Sequence, residues 1–116
     1  MQKILVVTGG RADWGLLTEV CRILEKSDKA ELFLAVTGYH FSKIHGNTLD
    51  TTLIHNFANV VEVDIGIKGD GVTDIGKYIS KVIDKFIDLL KDIAPHKVLV
   101  LGDRYEILGA SIASAI

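Results

Sequence analysis

Four short apolar runs alternate with amphipathic stretches along this chain, and that alternation limits the possible folds more than any other feature. The runs are Lys3-Ile4-Leu5-Val6-Val7-Thr8, then Glu31 to Thr37 around Leu32-Phe33-Leu34-Ala35-Val36, then Val60 to Val63, then Lys97 to Leu101. Continuous rather than alternating apolar character marks a strand covered on both faces. Between the runs lie helical patterns. One extends from about Asp13 or Trp14 to Glu25, with Leu16, Leu17, Val20, Ile23 and Leu24 at helical spacing. The best-patterned one carries Ile75, Tyr78, Ile79, Val82, Ile83, Phe86, Leu89, Leu90 and Ile93, and Pro95 ends it. A further helix starts near Tyr105, and Asn47 or Thr48 is suited to cap a short helix reaching about His55. Strands and helices in turn call for βαβ units with right-handed crossovers, and so for an α/β fold with a parallel sheet. The expected strand order is 3-2-1-4, half of a doubly wound, Rossmann-like arrangement.

Composition narrows the function classes. At 116 residues the chain is long enough for one core, and 48% hydrophobic with 24% charged residues is an ordinary globular balance. A net charge of -2 offers no basic field for nucleic acid, and no apolar run is long enough to span a membrane. Ile4 to Val7 is too short for the apolar core of a signal peptide. The single Cys21 has no partner for an internal disulfide and lies on a helical apolar pattern, which fits a reducing, cytoplasmic setting. Ser111 to Ile116 continue a helical pattern without a cap, Gly or Pro, so the chain is expected to be the front part of something longer.

The expected topology puts two charged loops together. In an open α/β sheet, ligands bind beyond the carboxyl ends of the strands where the order reverses, here between the first and fourth strands. Gly9-Gly10-Arg11 follows the first and Gly102-Asp103-Arg104 the fourth. Both precede helix N-termini, which favour anions through free N–H groups and the helix dipole. Arg11 and Arg104 add bidentate phosphate donors, and Asp103 among them suits a general acid or base beside a phosphorylated substrate. Simpler roles stand beside these: Arg11 paired with Asp13 in a solvated loop, or Asp103 capping the last helix. Gly9-Gly10 is not a dinucleotide fingerprint. His40 follows the second strand and reads, taken alone, as a solvated or hydrogen-bonded histidine. His45, His55 and His96 lack metal-type spacing, so no metal is expected.

Three blocks of the chain resemble a known family. Val7-Thr8-Gly9-Gly10-Arg11-Ala12-Asp13-Trp14-Gly15-Leu16-Leu17 is similar to the TGTRADYGLL opening of hydrolysing UDP-N-acetylglucosamine 2-epimerases. Thr37-Gly38-Tyr39-His40-Phe41-Ser42 with Gly46-Asn47-Thr48 resembles that family's TGxHLS and GNT segment, and Gly102-Asp103-Arg104-Tyr105-Glu106 its GDRxE/D segment. The Arg-Ala-Asp form points to the hydrolysing branch, since non-hydrolysing members usually carry Arg-Pro-Glu there. Gly10 departs from the usual Thr or Asn.

The resemblance implies a GT-B-type fold of two Rossmann-like domains. Residues 1–116 would be most of the first, and a C-terminal nucleotide-binding domain would lie outside this chain. It implies conversion of UDP-N-acetylglucosamine and water to UDP and N-acetylmannosamine, by elimination of UDP and then hydration, in sialic-acid-type sugar synthesis. Asp103 would transfer a proton, and Arg11, Gly15, Arg104 and His40 would bind the substrate. No cofactor is implied, the partner is a UDP-sugar, and the intact enzyme would be a homo-oligomer. The chain alone would bind weakly and be a poor or inactive enzyme, because a further cleft acid, a histidine and most uridine contacts fall outside it. Alternatives are a hydrolysing epimerase of another nucleotide sugar, a glycosyltransferase of the same fold, and a non-catalytic α/β binding module. A receiver-like module is disfavoured because the first strand ends in Thr8-Gly9-Gly10 without an acidic pair.

Overall fold

The structure, a computed structural model, describes residues 1–37, 57–65, 71–102 and 105–116, with residues 11–13 described by their backbone. The elements are β1 (Gln2–Thr8), α1 (Arg11–Lys26), β2 (Ala30–Thr37), β3 (Val60–Val63), α2 (Val72–Ile93), β4 (Lys97–Leu99) and α3 (Tyr105–Ala115). The four strands form one parallel sheet in the order β3-β2-β1-β4, as expected from the alternation. The short helix expected from Asn47 or Thr48 to about His55 lies outside the described residues.

The sheet sorts its side chains by the two-residue period of a strand. Leu5, Val7, Ala35 and Val63 face α2 and α3, where they meet Tyr78, Val82, Phe86, Ile93, Ile107, Ala110 and Ala113. Val6, Leu32, Leu34 and Val36 face α1, against Leu17, Cys21 and Phe57. Both faces of β1 and β2 are thus covered, which is why their sequences are apolar without alternation. Trp14 closes the α1 side by meeting Phe57 edge-on, with ring centroids 5.7 Å apart and planes at 81°.

Short polar contacts fix the ends of the elements. The Ala58 amide donates to Glu25 Oε1 at 3.2 Å, and Asn59 Nδ2 donates to the Leu32 carbonyl at 3.1 Å, seating the start of β3. At the foot of the sheet the Lys3 amide donates to His96 Nδ1 at 2.9 Å, and the His96 amide donates to the Lys3 carbonyl at 2.8 Å. Helix α2 stops at Ala94, which takes a left-handed φ of 51° while its amide donates to the Leu90 carbonyl at 2.8 Å; Pro95 then forbids another turn.

Two expectations are corrected. Leu16, Val20 and Ile23 were expected on the buried face of α1, yet they are 71%, 40% and 64% exposed. The buried stripe is Leu17 and Cys21, flanked by Trp14 and Leu24, a line of three- and four-residue steps that turns the other leucine and isoleucine outward. The fourth strand was expected to be buried and to reach Leu101. Its ladder ends at Leu99, and Leu99 and Leu101 are each 37% exposed. Among the described residues β4 pairs only with β1.

Candidate functional site at the β1–β4 switch point

The strand order reverses at β1, with β2 and β3 on one side and β4 on the other. β1 and β4 run parallel in the register Ile4↔Lys97, Leu5↔Val98 and Val6↔Leu99. Gly9 and Gly102 follow the last of these pairs at the same offset, so the two glycine loops leave the sheet side by side at its carboxyl end. Parallel pairing of β1 and β4 therefore brings the residues that follow them to one end of the sheet.

The β1 loop is short and closed. Thr8, Gly9 and Gly10 are buried. Gly10 is extended and serves as the N-cap of α1; it provides no side-chain cap, and its carbonyl accepts the Trp14 amide at 3.1 Å. The helix consequently begins at Arg11, earlier than the Asp13 or Trp14 suggested by the apolar pattern. Arg11 thus stands in the first turn of a helix that meets the crevice, where anions are favoured. Gly15 lies on the same helix, exposed, and a Cβ added there would meet nothing within 4 Å. Packing among the described residues gives no reason for a glycine at that position, although glycine disfavours a helix interior.

The β4 loop turns at Gly102, whose φ of +108° is a left-handed conformation that a side chain would strain. Helix α3 begins at Tyr105. Asp103 and Arg104 lie between these two fixed points and outside the described residues, as does His40, and the side chain of Arg11 is also outside them. The structure therefore positions the backbone that carries Arg11, Gly15 and the ends of the Asp103-Arg104 span. Among the described residues no group of three His, Cys, Asp or Glu side chains is arranged to hold a metal ion.

A buried polar pair at this end of the sheet was not singled out from the sequence. Glu106, in the first turn of α3, is 1% exposed, and Tyr78 of α2 is 4% exposed. The Tyr78 hydroxyl donates to Glu106 Oε1 at 3.0 Å. Tyr78 reads as one more member of an apolar stripe. The available signal is Glu106 itself, a carboxylate followed by Ile107, Leu108, Gly109 and Ala110 on a helix otherwise built from small and apolar residues. On the opposite face, burial pushes the Cys21 thiol from 9.0 up to about 11, with the charge of Glu25 adding to the effect. That makes Cys21 a packing residue rather than a nucleophile.

Comparison with known proteins settles the lineage. A sequence profile described as UDP-N-acetylglucosamine 2-epimerase matches residues 22–116. The chain belongs to that family. A polysialic acid biosynthesis protein of Escherichia coli is 37% identical over 116 residues, covering 100% of this chain and 30% of that protein. A UDP-N,N'-diacetylbacillosamine 2-epimerase (hydrolyzing) of Legionella pneumophila is 33% identical over 114 residues, covering 98% of this chain and 30% of that protein. The chain thus spans about 30% of the length of the curated relatives it matches. The crystal structure of UDP-GlcNAc 2-epimerase from Neisseria meningitidis bound to UDP-GlcNAc superposes with a TM-score of 0.76 at 21% identity, over 97% of this chain and 28% of that one. Family membership and the sheet order agree on the fold. Among the described residues, no helix is long and apolar enough to cross a membrane.

Proposed function

We propose that this chain is the first Rossmann-like domain of a hydrolysing UDP-N-acetylglucosamine 2-epimerase. A second nucleotide-binding domain, supplied by the remaining length that its relatives have, would form the other wall of a cleft. The observation that carries this reading is the pairing of two glycine loops at the β1–β4 switch point of a chain in this family. Arg11 and Arg104 neutralise the diphosphate, the first turn of α1 adds backbone donors, and Gly15 lets the nucleotide approach the helix. His40, which follows β2 in the sequence, also binds the substrate.

The reaction assigned to the cleft proceeds in two steps. The proton at C2 of the sugar is removed and the C1–O bond breaks, so UDP leaves and a 2-acetamidoglucal remains. Water then adds its hydroxyl to C1, and a proton returns to C2 from the opposite face, giving N-acetylmannosamine. Asp103 moves one of these protons. No metal or nicotinamide takes part. The intact enzyme works as a homo-oligomer in the cytoplasm, and the 116-residue chain alone binds UDP weakly without turnover.

The test is to incubate the two-domain enzyme with UDP-N-acetylglucosamine and follow the products by NMR. UDP and free N-acetylmannosamine are expected, whereas UDP-N-acetylmannosamine, or no UDP release, would overturn the reading. Asp103→Asn is expected to lose most turnover while UDP binding survives, and Arg104→Ala to weaken UDP binding. A second reading, a diacetylated bacillosamine sugar as substrate, is favoured by the 33% and 32% identity to relatives so named from Legionella pneumophila and Campylobacter jejuni. The same assay with that nucleotide sugar decides between them.

A further inference from the structure

Helix α3 is held against α2 at two successive turns. Gly109 packs so closely on Val82 that a Cβ there would lie 2.5 Å from Val82 Cγ1, which sets how near the helices come. One turn nearer the crevice, the Tyr78 hydroxyl donates to Glu106 Oε1 at 3.0 Å. Around this bond, Val82, Phe86, Ile107, Ala110 and Ala113 form an apolar cluster between the helices and the sheet. A buried carboxylate is an expensive way to join two helices, and apolar residues of the same size would do so at lower cost. What a hydrogen bond adds is direction, because it fixes the rotation and the axial position of α3 where close packing alone permits sliding.

That position matters because of where α3 begins. Tyr105 is its first residue, Gly102 ends the β4 side in a left-handed conformation, and only Asp103 and Arg104 connect them. The start of α3 is therefore the anchor at one end of this two-residue span. Glu106 is 1% exposed and cannot touch substrate, so it is not itself a catalytic residue. We propose that Glu106, through its bond to Tyr78, is a positioning residue that sets where α3 begins at the switch point, and with it the anchor at one end of the Asp103-Arg104 span. The kinetic part of this inference rests on the function proposed above; the structural part does not.

Two measurements test it. In the 116-residue chain labelled with 15N, Tyr78→Phe and Glu106→Leu should shift the amide signals of Gly102 to Tyr105 and speed their hydrogen exchange by about tenfold. Glu106→Gln, which retains an acceptor for the tyrosine hydroxyl, should leave both near the parental values. In the two-domain enzyme the first two variants should lower kcat by about tenfold or more at a temperature where they remain folded, as expected when reacting groups are displaced, and Glu106→Gln should stay within about threefold. Phe and Leu variants that melt earlier but keep the parental amide signals and kcat would overturn the proposal, leaving Glu106 a purely structural group. Glu106→Gln as impaired as Glu106→Leu would overturn the role of the Tyr78 bond. If the unsubstituted enzyme releases no UDP, the proposed function fails, and the amide signals still decide the positioning role.

Discussion

Gly109→Ala is the most informative single substitution for the helix layer that supports the crevice. In a helix interior, Gly to Ala ordinarily stabilises by about 1 kcal/mol. At Gly109 the new Cβ would stand 2.5 Å from Val82 Cγ1 and 2.9 Å from Val82 Cβ. Carbon atoms in contact prefer about 3.5–4.0 Å, so roughly 1 Å must be found. Rotating Val82 relieves the Cγ1 contact but not the Cβ contact, since Cβ is fixed to the backbone. Val82 is fully buried, so α3 itself has to move away from α2. Overpacking of this kind costs about 1–3 kcal/mol, which exceeds the helix-propensity gain, and the net expectation is a loss of about 1–2 kcal/mol. Urea denaturation followed by the fluorescence of the single Trp14 measures it. Adding Val82→Ala removes the clashing Cγ1, so the double variant should be more stable than the sum of the single effects by about 1 kcal/mol or more. Stabilisation by Gly109→Ala alone, or strict additivity with Val82→Ala, would refute the close approach of the two helices.

Gly15→Ala and Gly76→Ala meet nothing within 4 Å, so each should raise stability by about 0.5–1 kcal/mol in the same denaturation assay. Only Gly15→Ala should also weaken UDP binding, and equal affinity in the two variants would remove Gly15 from the site. Cys21, with its thiol held near 11, should resist iodoacetamide at pH 8 until the chain is unfolded. The raised folded value also means that burial of the neutral thiol stabilises fully below about pH 9 and loses that contribution between 9 and 11. The stability difference between the parent and Cys21→Ala should accordingly shrink over that window; a constant difference would contradict it. Phe57→Ala removes the ring that meets Trp14 edge-on and should cost about 3–5 kcal/mol with an altered tryptophan emission; unchanged emission would contradict that contact.

The sheet order was legible because β1 and β2 are covered on both faces and say so in continuous apolar runs. That Gly9 and Gly102 leave the sheet at the same end followed from that order, since neighbouring parallel strands deliver their following loops to one end. The exposed side of α1 was not legible. Five apolar residues at helical spacing do not reveal which three- and four-residue steps face the sheet, and the answer depended on Cys21 and Trp14 joining the stripe. The partial exposure of Leu99 and Leu101 had no sequence signal either, because both belong to a continuous apolar run. The Tyr78–Glu106 bond joins two helices that are separate in sequence, and only their packing on one sheet face brings the pair together.

The central claim is that the carboxyl ends of β1 and β4 hold the diphosphate of a nucleotide sugar. Titration of the 15N-labelled 116-residue chain with UDP tests it without requiring turnover. The account predicts saturable amide shifts, with a dissociation constant in the millimolar range, clustered at Gly9 to Gly15 and Gly102 to Tyr105. Arg11→Ala should weaken them. Shifts at the opposite end of the sheet around His96 and Lys97, or none at saturating UDP, would contradict it.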